Sequence, residues 1–344
     1  MNTFTYNNES KMKRNILIKL FSLLAFLQAG LASCDYIHDD IDPCPHYLRF
    51  TYTYNMKFAD AFAHEMVNQS VNKQVELYIY GEDGKFISSR TISGSELETN
   101  HIRLDLQPGT YRLLAWAGLN DTHYTWSAPS AGASIADWQM TVKDGSTANV
   151  VDHELLGLFQ GTMTLVIPEG GETDTEFPLV KNTNKLRVVL IDANTGTGID
   201  AGNFSVKATT SNRDLDYRNE PVSDTAVTWL PYYKGTEQVN SSDGKAAYSA
   251  ACYELNTLRL LDGTRTALQL SHNGEAAPFL DVDLTDFLAL TKMESHDIGK
   301  QEYLDRQDEY TILVYLDLAG GKAHYLEIIV NDWVIRLNDI NFGK

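Results

Sequence analysis

The chain has 344 residues, with 28 basic against 46 acidic side chains and three cysteines. Such a balance repels nucleic-acid phosphates and anionic lipid headgroups, so neither is an expected partner. Three cysteines also make neither a disulfide-stapled scaffold nor a cysteine metal framework.

Residues 1–33 read as a lipoprotein signal peptide. Lys11, Lys13, Arg14 and Lys19 give a positive start, and the apolar run Leu20–Leu27 follows. That run is too short to cross about 30 Å of hydrocarbon. Then comes Leu31-Ala32-Ser33-Cys34, an aliphatic residue and two small ones before a thiol that can carry a lipid thioether. Cleavage is expected before Cys34, with lipidation on it. Met12 opens the more usual form of such a leader and is an alternative start to Met1. Each buried methylene contributes roughly 0.8 kcal/mol, so two or three acyl chains hold durably where one would not. No other stretch reaches the roughly 18 apolar residues of a spanning helix. The chain is expected to be anchored at a membrane without spanning it, with this covalent lipid and no cofactor.

Residues 34–46 form an acidic tether with Pro43 and Pro45. His38, Asp39, Asp40 and Asp42 could be imagined as a metal cluster, but a charged, proline-bearing segment beside an anchor is better read as an extended spacer. No metal site is expected. An exported compartment permits a disulfide between Cys44 and Cys252, although the sequence does not show that they meet.

The body reads as antiparallel β, divided into domains at 47–170 and 171–344. Leu48, Phe50, Tyr52 and Tyr54 share one face of a first strand. Val75–Tyr80 and Lys85–Thr91 flank Gly81-Glu82-Asp83-Gly84, a hairpin signal. Asp144-Gly145, Asp243-Gly244, Asp262-Gly263 and Asn273-Gly274 repeat that chemistry. Strands are expected at His101–Leu106 and Tyr111–Trp116, and Trp116 is expected in the core. Ala59–Val71 and Leu284–Leu290 are the helical candidates. Ile167–Asp174, polar and glycine-bearing, is the expected linker. Strand character resumes at Phe177–Val180 and Lys185–Ile191. After a polar insertion at Thr210–Asp224 it returns at Leu258–Leu261, Ala267–Ser271 and Thr311–Leu316. Spacing of this kind argues for sandwiches. In the last segment Leu326, Ile328 and Val330 share one parity, while Trp333, Ile335 and Leu337 share the other. A bulge at Asn331-Asp332 would keep both sets, with a core Trp333, on one buried face.

Catalytic patterns are missing. His64-Glu65 and His153-Glu154 lack the second histidine one helical turn on that a zinc site needs. Asp214-Leu215-Asp216 lacks the glycine and glutamate of a calcium loop. Asp281 and Asp283 share a strand face, which is ordinary strand polarity more often than a carboxylate pair. No enzyme is indicated.

Several segments resemble the Bacteroidales fimbrial anchor family, the FimB-like relatives of fimbrillins. They are Cys34–Pro45 after the lipobox, Leu48–Tyr52, Leu106–Gly118 with its Pro108-Gly109 turn, Leu155–Gly161, Leu179–Val189 and Ile329–Trp333. The resemblance implies two transthyretin-like β-sandwich domains in an outer-membrane, surface-exposed lipoprotein at the base of a pilus. It implies stalk pilin subunits as partners, joined by strand complementation, and no catalytic residues. An anchor of this kind should keep its N-terminal strand, because cutting there would release the pilus. Arg49 is accordingly expected to lie buried in the ladder and not at a processing site. Leu326, Ile328, Val330, Trp333 and Ile335 are the candidate joining strand, as donor or as paired edge; a plain closing strand is the competing reading. Two other functions stay open. A glycan-binding lipoprotein would need Trp126, Trp138 or Trp229 clustered and exposed, and a pilus tip or adhesin would need the first strand lost.

Overall fold

The computed structural model describes residues 45–52, 73–194, 198–240, 247–292, 297–331 and 333–335. The leader, Cys34, Cys44, His38, His64 and the helical candidate Ala59–Val71 lie outside the described residues. So do the Asp243-Gly244 turn and Leu337.

The chain enters through β1 (His46–Tyr52), whose alternation buries His46, Leu48, Phe50 and Tyr52 and turns Arg49 outward. β2 (Gln74–Gly81) and β3 (Phe86–Ser93) form the expected hairpin, with Gly84 at φ 76°, where a Cβ would be strained. Helix α1 (Gly94–Thr99), β4 (Ile102–Leu104) and β5 (Gly109–Ala117) follow. Next come β6 (Tyr124–Trp126), β7 (Gln139–Val142), β8 (Val150–Val151), β9 (Phe159–Ile167) and β10 (Thr173–Lys181). Seven of these strands order as β3-β2-β5-β9-β10-β1-β4. β9 and β10 pair only at Val180–Gln160 and Lys181–Phe159, so the sheet is barely joined there. Its two halves bury one core between them, with Leu48, Phe50, Phe177 and Leu179 from one side and Val75, Leu77, Leu113 and Phe159 from the other.

The expected linker at Ile167–Asp174 is instead the loop between β9 and β10, two strands of this same sheet. Its glycines serve a turn, and the chain leaves the sheet only at Asn182. The sheet also departs from the antiparallel expectation. β1 runs parallel to β10, as β11 (Thr183–Asp192) later does to the strand at Glu309–Asp317, and β8 to a strand of the second half. Parallel neighbours require long crossovers, and these partners are far apart in sequence, where local hairpin signals carry no information.

The second half adds β12 (Phe204–Thr210), β13 (Asp214–Asp216), β14 (Val227–Trp229), β15 (Tyr233–Asn240), β16 (Ala247–Leu258), β17 (Ala267–His272) and β18 (Leu280–Asp283). Helices α2 (Leu284–Ala289) and α3 (Lys300–Arg306) precede β19 (Glu309–Asp317), β20 (His324–Val330) and β21 (Trp333–Ile335). A six-stranded sheet, β15-β16-β11-β19-β20-β21, faces a five-stranded one, β18-β17-β12-β14-β8. Between them lie Leu186, Val188, Tyr253, Ile312 and Val314 on one side, with Phe204, Val206, Trp229, Leu268 and Leu270 on the other. The all-β expectation therefore holds, and the described residues from His46 onward form one compact unit.

A third layer ties the halves together. β13, from within the polar insertion, pairs with β7, which pairs with β6. Tyr124, Trp138 and Met140 from this layer share a cluster with Tyr78, Tyr80 and Trp116, which project from the outer face of the first sandwich. Trp116 and Trp138 stack at 4.8 Å with planes 17° apart. Trp116 is a core residue, as expected.

Candidate subunit-joining surfaces

The first strand is an interior strand. β10 holds all seven residues of β1 in parallel register, from His46–Thr173 to Tyr52–Leu179, and β4 pairs with His46–Leu48 on the other side. Where β4 ends, Asn100 continues its work. The Phe50 N–H donates to the Asn100 side-chain oxygen at 2.9 Å, and the Asn100 amide donates back to the Phe50 carbonyl at 2.7 Å. Asn100 reaches this position as the left-handed cap of α1, φ 48°. Phe50 packs on Phe177 at 5.7 Å, and Tyr52 meets Phe159 edge-on at 5.3 Å. Burying each such side chain stabilises by about 1.5–3 kcal/mol. Without β1, an apolar groove lined by Ile102, Leu104, Phe177 and Leu179 would stand open.

Arg49 is not buried. Its backbone lies in the ladder, but its side chain is about half exposed and pairs with its register partner Glu176 at 2.7 Å. Strand alternation accounts for this, since a residue between Leu48 and Phe50 must face the other way.

The C-terminal segment is a hairpin, not a bulged strand. Val330 pairs with Trp333 and Ile328 with Ile335, and Asn331 turns at φ 45°. Asparagine tolerates this left-handed turn. Ile328, Val330 and Ile335 are buried, as their pattern suggests, but Trp333 is 49 % exposed and Leu326 59 %. Trp333 shares the inward face but stands on β21, the sheet edge, with no further described strand to cover it. Leu326 loses its inward place because the register with β19 shifts between Tyr315 and Leu316. Tyr325 and Val334, which parity assigned to the far face, are exposed too. The hairpin thus presents an apolar edge of four large side chains. Natural sheets usually charge, shorten or cover such an edge.

Beside it lies an open cleft of about 1010 Å³, lined by Asn273–Phe279 and Gly320–Tyr325, so Tyr325 belongs to both. Sequence reading missed the cleft because its walls come from two loops far apart in the chain.

The remaining candidates serve structure. Trp138 and Trp229 are buried and Trp126 packs against the core, so these three form no exposed stacking platform. Asp283 caps α2, accepting the Thr285 N–H at 3.1 Å, while Asp281 meets Arg265 and Gln269. Asp216 holds its own turn, accepting the N–H groups of Arg218 and Glu220. Cys252 is buried and has no disulfide partner among the described residues; burial and Glu237 push its thiol up to about 11, well away from the reactive thiolate. Lys181 and Asp308 form a buried ion pair at 2.5 Å, and Arg259 grips Asp305 through two bonds of 2.7 Å.

The sequence matches the family model of the fimbrillin-A associated anchor proteins Mfa1 and Mfa2 over residues 41–339, from the tether through the terminal hairpin. The chain belongs to that family. Among solved structures, this anchor-family chain is similar to a candidate adhesin from Bacteroides thetaiotaomicron, with 28 % identity and a TM-score of 0.73 over 87 % of this chain and 100 % of the other. It is also similar to a candidate polysaccharide-binding protein from the same species, at 27 % identity and 0.71 over 85 % and 98 %. The fimbrial anchor protein Mfa2 from Porphyromonas gingivalis shares the fold at 16 % identity and a TM-score of 0.60, over 86 % and 99 %. No curated protein matches the sequence.

Proposed function

We propose that this protein is the lipid-anchored base of a surface fimbrium in the outer membrane. Cys34 carries the lipid, residues 35–45 space the body from the membrane, and stalk pilin subunits join at the β20–β21 edge. The observation that carries the reading is the position of β1. It is the first strand after the tether, and it sits inside a sheet with its apolar face buried. A groove so filled accepts no strand from a neighbour, and a chain that keeps β1 keeps its connection to Cys34. Joining then falls to another edge by strand addition, where backbone bonds give affinity and alternate side chains give specificity. The exposed apolar edge at Tyr325, Leu326, Trp333 and Val334 suits that role. No catalytic step is needed.

The test is made on cells. Cys34→Ala should yield a folded body in the soluble or secreted fraction, with fimbriae shed into the medium. A variant that still fractionates with the membrane would overturn the anchor.

A further inference from the structure

His123 and His153 stand ring over ring, with centroids 4.7 Å apart and planes 18° apart. His123 immediately precedes β6 in the third layer, and His153 lies two residues beyond β8 in the five-stranded sheet. The stack therefore bridges two separate sheets. The His123 N–H donates to the Asn120 side chain at 2.9 Å, and its carbonyl accepts the Lys143 N–H at 2.8 Å. The His153 Nε2 is buried and makes no hydrogen bond. Around the rings, Lys143 is the charge facing His123, its ammonium engaged by the Asp121 carbonyl, and the Tyr124 ring lies 6.4 Å away. Asp152 is the charge facing His153, but its carboxylate already accepts the Ser146 hydroxyl at 2.5 Å.

We propose that the His123–His153 stack is an acid-sensitive latch that holds the β6–β7–β13 layer to the five-stranded sheet at β8, keeping Trp138 of that layer on Trp116, and that releases the layer when both rings are protonated. Two imidazolium rings in face-to-face contact repel, and the nearest cation, Lys143, adds to the repulsion. Burial lowers the pKa of both histidines; His153 and Lys143 lower that of His123 further, while Asp152 opposes the effect at His153. The sign follows. The unfolded chain takes up protons near pH about 6.5, before the folded one does. The stack's contribution is complete above that pH and is lost as pH falls through it toward the lower folded values.

The experiment uses the detergent-solubilised mature protein. Histidine C2–H exchange read by mass spectrometry gives each ring's midpoint, and tryptophan emission with thermal melting is followed from pH 7.5 to 5.0. Both midpoints should lie below about 6.5, with red-shifting emission and a falling Tm on acidification. In His153→Phe, which keeps a stacked ring without the charge, the His123 midpoint should rise and the acid-induced red shift should disappear. His123→Asn should flatten the Tm profile likewise and serves if His153→Phe does not fold. A midpoint at or above about 6.5 for either ring, or an unchanged red shift in the folded variant, would overturn the latch.

Discussion

Phe50 and Phe177 are register partners across the parallel β1–β10 pair, with ring centroids 5.7 Å apart in the core of the first sandwich. The contact joins the strand next to the tether to one more than a hundred residues later in the chain. Any force passing from the body to a lipid on Cys34 runs through β1.

That geometry makes Phe50 costly to remove. Phe50→Ala should destabilise the body by about 3–5 kcal/mol, as aromatic truncations in cores do. Urea unfolding of a secreted form measures it, and a loss below about 1 kcal/mol would mean that β1 is dispensable.

Trp116 and Trp333 should separate. Trp116→Ala empties a site stacked on Trp138 and should cost about 3–5 kcal/mol. Trp333→Ala removes a half-exposed edge residue and should cost under about 1 kcal/mol. On cells the order should reverse, with Trp333→Ala reducing fimbrial retention in a fully folded protein. Normal retention in a Trp333→Ala, Leu326→Ala double variant would remove the hairpin from the joining surface.

Arg259 and Asp305 give a third measurement. The Asp305 side chain is 3 % exposed and also accepts from Gln301. Asp305→Ala should cost about 3–5 kcal/mol, because it leaves a largely buried guanidinium without its partner. Replacing both residues with apolar ones of similar volume should cost less than the single change. Equal losses would show that volume, not charge, governs the site.

Much of the fold was readable because its signals are local. The Gly81–Gly84 hairpin, the strand from Tyr111 to Trp116 and the helix near Leu284 each rest on turn chemistry or alternation within a few residues. The parallel pairing of β1 with β10 left no such mark, so the loop at Gly170-Gly171 passed for a linker. At the candidate surface, parity placed Ile328, Val330 and Ile335 correctly. Parity cannot reveal that β21 is an edge, which exposes Trp333, or that the ladder slips at Tyr315–Leu316, which turns Leu326 out. For Arg49, alternation with Leu48 and Phe50 already pointed outward, and the burial expected from its family context gave way to that simpler rule.

The central claim is that the native protein keeps β1 attached to a lipidated Cys34. Mass spectrometry of the N-terminal peptide from membrane-purified native protein tests it directly. One peptide is expected, beginning at acylated Cys34 and continuing unbroken through His46–Tyr52. A mature N-terminus at Phe50 or beyond, following a cut after Arg49 or later, would contradict it, because the groove would then be open and the anchor gone.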